Sequence, residues 1–209
     1  MTRPVLYDYY RSSACYRVRI ALNLKGVDYE AVPINLLEGE QKAGYRDLNP
    51  QGFVPTLVVG DVRLMQSIAI VAWLEASHPE PRLIPVDLAD AAHVRALALV
   101  VACDIHPLNN LRVLKRLTAL GLDQDARDDW YRHWVAEGFA ALEAMAAPRA
   151  GRFLFGDSPS LADLCLVPQM FNARRFDVPL DDYPTLVAAD SEANRLEPFQ
   201  AAHPDRAAR

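Results

Sequence analysis

Cysteine is scarce in this sequence of 209 residues, where Cys15, Cys103 and Cys165 stand far apart and form no CxxC pair. An odd number of isolated cysteines argues against a disulfide framework and against a zinc site. The five histidines are scattered without the spacing of metal ligands. We therefore expect no bound metal, and thiols that stay reduced, as they do in the cytoplasm.

Long apolar runs are also missing, because no stretch reaches the roughly 18 residues that a membrane span needs. Residues 1–4 lead directly into a strand pattern, without the apolar region of a signal peptide. The formal net charge of −5 disfavours nucleic acid as a partner. Together these absences predict a cytoplasmic protein that binds neither a membrane nor nucleic acid.

What the sequence does contain is a change of pattern near residue 82. Up to that point the apolar periodicity predicts the order β-α-β and then β-β-α, which makes one small four-stranded domain. The Pro-rich segment 78–85 is typical of a linker. Beyond it the pattern is helical, with a break expected at Pro107 and disorder at 201–209. We expect two domains, residues 1–82 and 88–209.

The segment Arg11-Ser12-Ser13-Ala14-Cys15-Tyr16-Arg17 follows the first strand and opens a helix. Ser12 or Ser13 is a natural N-cap, because a serine hydroxyl can accept a hydrogen bond from an amide of the first turn. The start of a helix also favours a bound anion. Most such serines are only caps, and most lone cysteines on an apolar face are core residues, so this segment alone leaves the function open.

Three later segments have recognisable local chemistry. Val54-Pro55 lies at the start of a strand that Gly60-Asp61 joins to an antiparallel partner. Gln66-Ser67 precedes a helix, with Ser67 as its expected cap. Ser160-Leu161-Ala162-Asp163 has the spacing of a capping box ahead of another helix. Each segment alone is weak evidence, and their combination is what carries information.

Taken together, the segments resemble the cytosolic glutathione transferases and, within them, the zeta class. The resemblance covers essentially the whole chain. It rests on Arg11-Ser12-Ser13 with Arg17-Val18-Arg19-Ile20-Ala21-Leu22, on Asn49-Pro50-Gln51-Gly52, on DIHPLNNL at 104–111 and on ADLCLVPQ at 162–169. It implies an α/β plus all-α fold, in which a thioredoxin-like N-terminal domain (βαβ-ββα) binds glutathione and an all-helical C-terminal domain binds the substrate.

The activity that the resemblance implies is glutathione-dependent isomerisation of maleylacetoacetate to fumarylacetoacetate, in tyrosine and phenylalanine catabolism. A thiolate can add to the cis double bond, which allows rotation before elimination restores the alkene as trans. The substrate is a dianionic cis-diketo acid, which arginine suits because a guanidinium pairs with a carboxylate. The class also implies a homodimer.

The resemblance assigns the site residues as well. We expect Ser12, Ser13, Arg11 and Arg175 to be catalytic. Val54 would pair its backbone with the cysteinyl part of glutathione, and Gln66-Ser67 would hold the γ-glutamyl carboxylate. The residues expected to contact glutathione are Ser12, Ser13, Ala14, Cys15, Arg17, Gln41, Val54, Pro55, Gln66, Ser67, His106, Asn110, Leu111 and Arg112.

One position departs from the class pattern. Members with a thiol in the first segment usually carry it where this chain has Ala14, and here the thiol follows at Cys15. Cys15 therefore has two interpretations, a ligand contact or a core residue. Three other functions stay open: a maleylpyruvate isomerase, a general glutathione transferase that processes haloacids, and a non-catalytic glutathione-binding module. Maleylpyruvate isomerases carry an extra arginine where this chain has Leu111, which favours maleylacetoacetate.

Overall fold

The computed structural model describes residues 2–36, 38–39 and 44–208. The chain divides into two compact units, of which the first comprises residues 1–82 and 195–209 and the second comprises residues 83–194. The sequence analysis assigned 88–209 to one helical domain, whereas here the last residues belong to the first unit. Within the described ranges, no helix is both long and apolar enough to cross a bilayer.

The first unit is built on a four-stranded sheet in the order β2-β1-β3-β4. The strands are β1 Val5–Asp8, β2 Glu30–Pro33, β3 Thr56–Val59 and β4 Val62–Met65. The pair β1 and β2 is parallel, and β3 is antiparallel to both β1 and β4. Pro33 therefore lies on an edge strand, as expected, because proline cannot donate to a neighbouring strand.

Ten α-helices are described, numbered along the chain. They are α1 Ser13–Leu24, α2 Tyr45–Leu48, α3 Ser67–Ser77, α4 Leu88–Leu99, α5 Leu111–Ala119, α6 Gln124–Ala146, α7 Leu161–Arg175, α8 Pro184–Ala193, α9 Glu197–Ala202 and α10 Pro204–Ala207. The first unit contains α1 to α3 with α9 and α10, and the second unit contains α4 to α8. The α/β plus all-α class is confirmed.

The C-terminal segment packs on α1 within the first unit. Phe199 and Ala202 of α9 are fully buried, and the Asn23 side-chain amide donates a hydrogen bond of 2.9 Å to the Pro198 carbonyl. The expectation of disorder at 201–209 was therefore wrong for the described part of this segment. Its alanines gave no apolar periodicity, whereas the contact with α1 depends on residues far away in the sequence.

In the second unit, α4 continues into a π-helical turn, Val100–Ile105, before the chain breaks ahead of α5. The break at Pro107 was expected, but the π-helical turn was not. Ile105 is fully buried and packs so closely on Gly138 of α6 that no Cβ could be added there. The π-helical turn thus places the Ile105 side chain against Gly138, a position where only glycine fits.

The start of α7 is organised by the capping box that the sequence predicts. The Asp163 carboxylate accepts hydrogen bonds from the Ser160 amide at 2.8 Å and from the Leu154 amide at 2.9 Å. The Ser160 hydroxyl in turn accepts from the Ala162 amide at 3.3 Å. Burial raises the pKa of Asp163 to about 6, against the lowering effect of these donors.

Candidate active site

The loop between β1 and α1 places two serines at the start of a helix. Ser12 is the N-cap of α1, and its hydroxyl accepts a hydrogen bond of 3.3 Å from the Cys15 amide. The Ser12 amide donates to the Tyr9 carbonyl at 2.8 Å, which closes the loop. Ser12 is half-buried, whereas Ser13 is buried. A capping hydroxyl still has its own O–H to donate, so the half-buried Ser12 can offer a donor at this end of α1.

Cys15 faces the core of the first unit. It has no exposed surface and clusters with Tyr45 and Val54, and its sulfur accepts a hydrogen bond from the Tyr9 amide at 3.5 Å. Burial raises the pKa of the thiol well above its ordinary value, and the nearby Asp8 carboxylate raises it further. The expectation that Cys15 contacts a ligand is therefore corrected to the core interpretation, because a residue without exposed surface cannot touch one.

The turn before β3 holds Val54 in place. The Phe53 carbonyl accepts hydrogen bonds from the Asn49 amide group at 2.6 Å and from the Tyr45 hydroxyl at 2.9 Å. The Val54–Pro55 peptide bond is cis, and Val54 lies outside the paired positions of β3. Tyr45 and Asn49 support this turn although the sequence analysis gave neither of them a role.

The start of α3 differs from the expectation that Ser67 is its cap. Gln66 occupies the cap position, makes no capping hydrogen bond through its side chain and has a left-handed backbone with φ of 68°. That conformation is costly for a residue other than glycine and is often found at functional sites. The Gln66 side chain instead donates to Gln51 Oε1 at 2.6 Å. Within the part of the chain that the structure describes, the cap residue thus leaves the first amides of α3 without a side-chain acceptor.

Arg17 lies beside this uncapped helix start. Its side chain is 2% exposed, and its Nη1 donates a hydrogen bond of 3.4 Å to Ser67 Oγ. Its Nε and Nη2 have no hydrogen-bond partner among the described residues. A buried guanidinium with two unpaired donors is costly unless an anion compensates it. The first unit therefore offers an anion site built from Arg17, Ser67 and the α3 amides.

The remaining expected residues of the first unit are spread around the loop. Arg11 is exposed, and its guanidinium lies 5.2 Å from the centre of the Tyr10 ring. Ala14 is half-buried on the first turn of α1. Gln41 lies outside the described residues. Among those that are described, no group of three His, Cys, Asp or Glu side chains could hold a metal ion.

In the second unit, four of the expected residues lie between the π-helical turn and the first turn of α5. His106 ends the π-helical turn. Asn110 is the N-cap of α5, and its side-chain oxygen accepts a hydrogen bond of 3.1 Å from the Arg112 amide. Leu111 borders a shallow pocket of about 220 Å³, which also contacts Phe176. Asn110 therefore has a local structural role, which a cap spacing alone could have indicated.

Two adjacent arginines end α7, and their environments differ. Arg174 pairs with the buried Asp190 carboxylate at 2.6 Å. Arg175 is exposed, has no carboxylate partner among the described residues, and donates to Asn172 Oδ1 at 3.2 Å. Its guanidinium lies 5.9 Å from the Phe171 ring and 5.7 Å from the Phe176 ring. Arg175 is thus held in place while its charge stays available.

The comparisons with known proteins agree with this architecture. The family model "Glutathione S-transferase, N-terminal domain" matches residues 6–82, and "Glutathione S-transferase, C-terminal domain" matches residues 124–195. A Rhizobium meliloti protein named maleylacetoacetate isomerase is 49% identical over 206 residues, which cover 97% of both chains. The chain belongs to the glutathione S-transferase family.

Two solved structures refine this membership. A maleyl pyruvate isomerase described as a bacterial glutathione S-transferase of the zeta class matches with a TM-score of 0.95 and 46% identity, covering 97% of both chains. A maleylacetoacetate isomerase from Anaeromyxobacter dehalogenans, with glutathione bound in its active site, matches with a TM-score of 0.89 and 46% identity over 98% of this chain and 96% of that one. This transferase belongs to the zeta class.

Proposed function

We propose that this transferase is a glutathione-dependent cis–trans isomerase that converts maleylacetoacetate to fumarylacetoacetate. The Rhizobium meliloti relative with that name supports the proposal at 49% identity, and so does the glutathione bound in the Anaeromyxobacter dehalogenans structure. Within this chain, the observation that carries it is the buried, partly unpaired guanidinium of Arg17 beside the uncapped start of α3.

The residues of the first unit fit glutathione at its γ-glutamyl end. Because Arg17 donates to Ser67 Oγ, the Ser67 hydroxyl keeps its own O–H to donate to a carboxylate. The α3 amides add further donors, and the positive charge of Arg17 compensates the charge of the carboxylate. We assign Gln66, Ser67 and Arg17 to this carboxylate and the Val54 backbone to the cysteinyl part.

When bound, glutathione supplies a thiolate that adds reversibly to the double bond of the substrate. A free thiol has a pKa of roughly 8.5, so the site must favour the anion at neutral pH. We assign this task to the O–H of Ser12 and to the partial positive charge at the start of α1. Ser12 is preferred to Ser13 because it is the less buried of the two.

The dianionic substrate needs cationic partners, and Arg175 is our assignment for one carboxylate. Its neighbours Asn172, Phe171 and Phe176 orient the guanidinium without neutralising it. A preorganised guanidinium binds a carboxylate through two parallel hydrogen bonds, which gives both affinity and orientation. Arg11 is our second candidate, because it is exposed directly before Ser12.

Maleylpyruvate is the second candidate substrate. It is favoured by the structural match with a TM-score of 0.95 to a maleyl pyruvate isomerase. The two substrates carry the same cis double bond between carbonyl groups, so the assigned chemistry would serve both. We also propose that the protein is a homodimer and acts in the cytoplasm, where its free cysteines would stay reduced.

The test is an absorbance assay of isomerisation with maleylacetoacetate and, separately, with maleylpyruvate, each with and without glutathione. We expect glutathione-dependent turnover, with the higher kcat/KM for maleylacetoacetate. A higher value for maleylpyruvate would move the assignment to that substrate. Glutathione binding without turnover of either compound would contradict the isomerase proposal and leave a conjugating transferase or a binding module.

A further inference from the structure

One buried arginine, Arg19, supports the loop that carries Arg11 and Ser12. Arg19 is 2% exposed and lies on α1, two helical turns after Ser12. Its Nη2 donates a hydrogen bond of 2.9 Å to the Tyr10 carbonyl. Tyr10 directly precedes Arg11, so this bond anchors the backbone of the loop two residues before Ser12.

The other nitrogens of Arg19 connect the loop to the end of β1 and to α9. Nη1 pairs with the Asp8 carboxylate at 2.7 Å, at the end of β1. Nε donates to the Ala202 carbonyl at 3.0 Å, at the end of α9. The Tyr16 ring lies 5.4 Å from the guanidinium and covers it. Strand, loop and C-terminal helix thus share one cation.

The geometry of these bonds requires arginine. The planar guanidinium presents its donors in fixed directions, so one side chain can serve three acceptors that point at it from three sides. An ammonium group is a point charge on a flexible stem and could keep only part of this network. Asp8 is buried on the same face of β1 as Leu6 because alternate residues of a strand share a face.

We propose that Arg19 is a positioning residue for the Ser12 loop of the glutathione site. This inference rests on the proposed function, since the loop matters only if Ser12 meets the thiolate of glutathione. Arg19 itself touches neither. Without its bond, the Tyr10 carbonyl can shift, and a small displacement of Ser12 weakens a hydrogen bond that depends on direction.

The experiment compares Arg19→Lys with Asn23→Ala in the full chain. Asn23 is the matched control because it also joins α1 to the C-terminal segment, through the Pro198 carbonyl, yet bonds no part of the loop. We measure KM for glutathione, kcat, thermal unfolding, and the pKa of the bound glutathione thiol from the ultraviolet absorbance of its thiolate.

We expect Arg19→Lys to raise KM for glutathione about tenfold and to raise the pKa of the bound thiol. Asn23→Ala should lower only the unfolding temperature. Unchanged glutathione constants in Arg19→Lys, or equal losses in Asn23→Ala, would overturn the inference. If the wild-type protein binds no glutathione, the proposed function is wrong. That result can be distinguished from a failure of the Arg19 inference, in which wild type binds glutathione and Arg19→Lys binds it equally well.

A second variant covers the case in which Arg19→Lys does not fold. The double variant Asp8→Asn/Arg19→Gln removes both charges of the buried pair and so leaves no unpaired charge in the core. It also weakens the support of the Tyr10 carbonyl. The same rise in KM and in the pKa of the bound thiol is expected, and wild-type values in this variant would contradict the positioning role.

Discussion

Nη1 of Arg17 and Oγ of Ser67 lie 3.4 Å apart, and this contact joins the second turn of α1 to the first residue of α3. Two further nitrogens of Arg17 have no hydrogen-bond partner among the described residues. The arrangement costs stability in the free protein, because a buried charge is incompletely compensated. Such a loss of stability is expected where the residue is needed to bind a ligand.

Arg17→Met should therefore separate binding from stability. We expect the variant to bind glutathione at least tenfold more weakly, while the free protein becomes more stable by about 1 kcal/mol, since the unpaired buried charge is gone. Calorimetric titration and urea unfolding measure the two effects. Arg63→Ala, which removes an exposed arginine of the same unit, is the control for net charge. A loss of stability in Arg17→Met would indicate a structural arginine instead.

Ser12→Ala should reduce kcat by about two orders of magnitude, the usual effect of deleting one hydrogen bond to a developing or resident anion in an active site. The lost cap should also cost about 1 kcal/mol of stability. Asp123→Ala loses the N-cap of α6, which accepts a hydrogen bond from the Ala126 amide at the same spacing, and controls for that cost. Ser13→Ala is expected to stay within about threefold of wild type. If Ser13→Ala proved the more damaging variant, the hydroxyl assignment would have to be exchanged.

The adjacent arginines of α7 should give opposite results. Arg175→Gln is expected to raise KM for the isomerisation substrate at least tenfold, with little change in KM for glutathione or in stability. Arg174→Gln leaves the buried Asp190 carboxylate without its cation and should cost about 1–3 kcal/mol, with substrate KM unchanged. Steady-state kinetics and urea unfolding of both variants check this pair. A similar KM in all three proteins would remove Arg175 from the site.

Cys15→Ala should leave kcat and both KM values within about twofold of wild type, because the thiol has no exposed surface. The free energy of unfolding should fall by about 1–2 kcal/mol, since the substitution opens a small cavity beside Val54 and Tyr45. Kinetics and urea unfolding test both parts. A large loss of kcat at unchanged stability would return the thiol to the chemistry.

The free energy of unfolding should depend on pH through the titration of Asp163. Its pKa is raised from 3.8 to about 6 in the folded protein, so the folded state holds the proton more tightly than the unfolded state. Its contribution to stability is therefore present at low pH and is lost as pH rises through about 4 to 6, by about 3 kcal/mol. Urea unfolding of wild type and Asp163→Asn across this range measures the difference. Parallel curves for the two proteins would contradict the raised pKa.

Several features could be predicted from the sequence because their partners are close along the chain. Ser160 and Asp163 are three residues apart, so their capping box needs only one helical turn. Gly60-Asp61 between two apolar runs predicts the hairpin of β3 and β4 for the same reason. The site roles of Ser12, Val54-Pro55 and Gln66-Ser67 stay predictions that follow from the resemblance to the family. The comparisons confirm the family itself.

Other features were decided only by tertiary structure. An apolar helical face can be recognised from periodicity, but the pattern does not say whether Cys15 at its start meets a ligand or the core. The burial of Arg19 depends on Asp8 and on the Ala202 carbonyl, 183 residues later, which accept hydrogen bonds from its guanidinium. The sequence does not distinguish Arg174 from Arg175. In the folded chain, the Asp190 carboxylate neutralises Arg174. Burial and charge pairing depend on residues far apart in the chain, so they become visible only after the chain has folded.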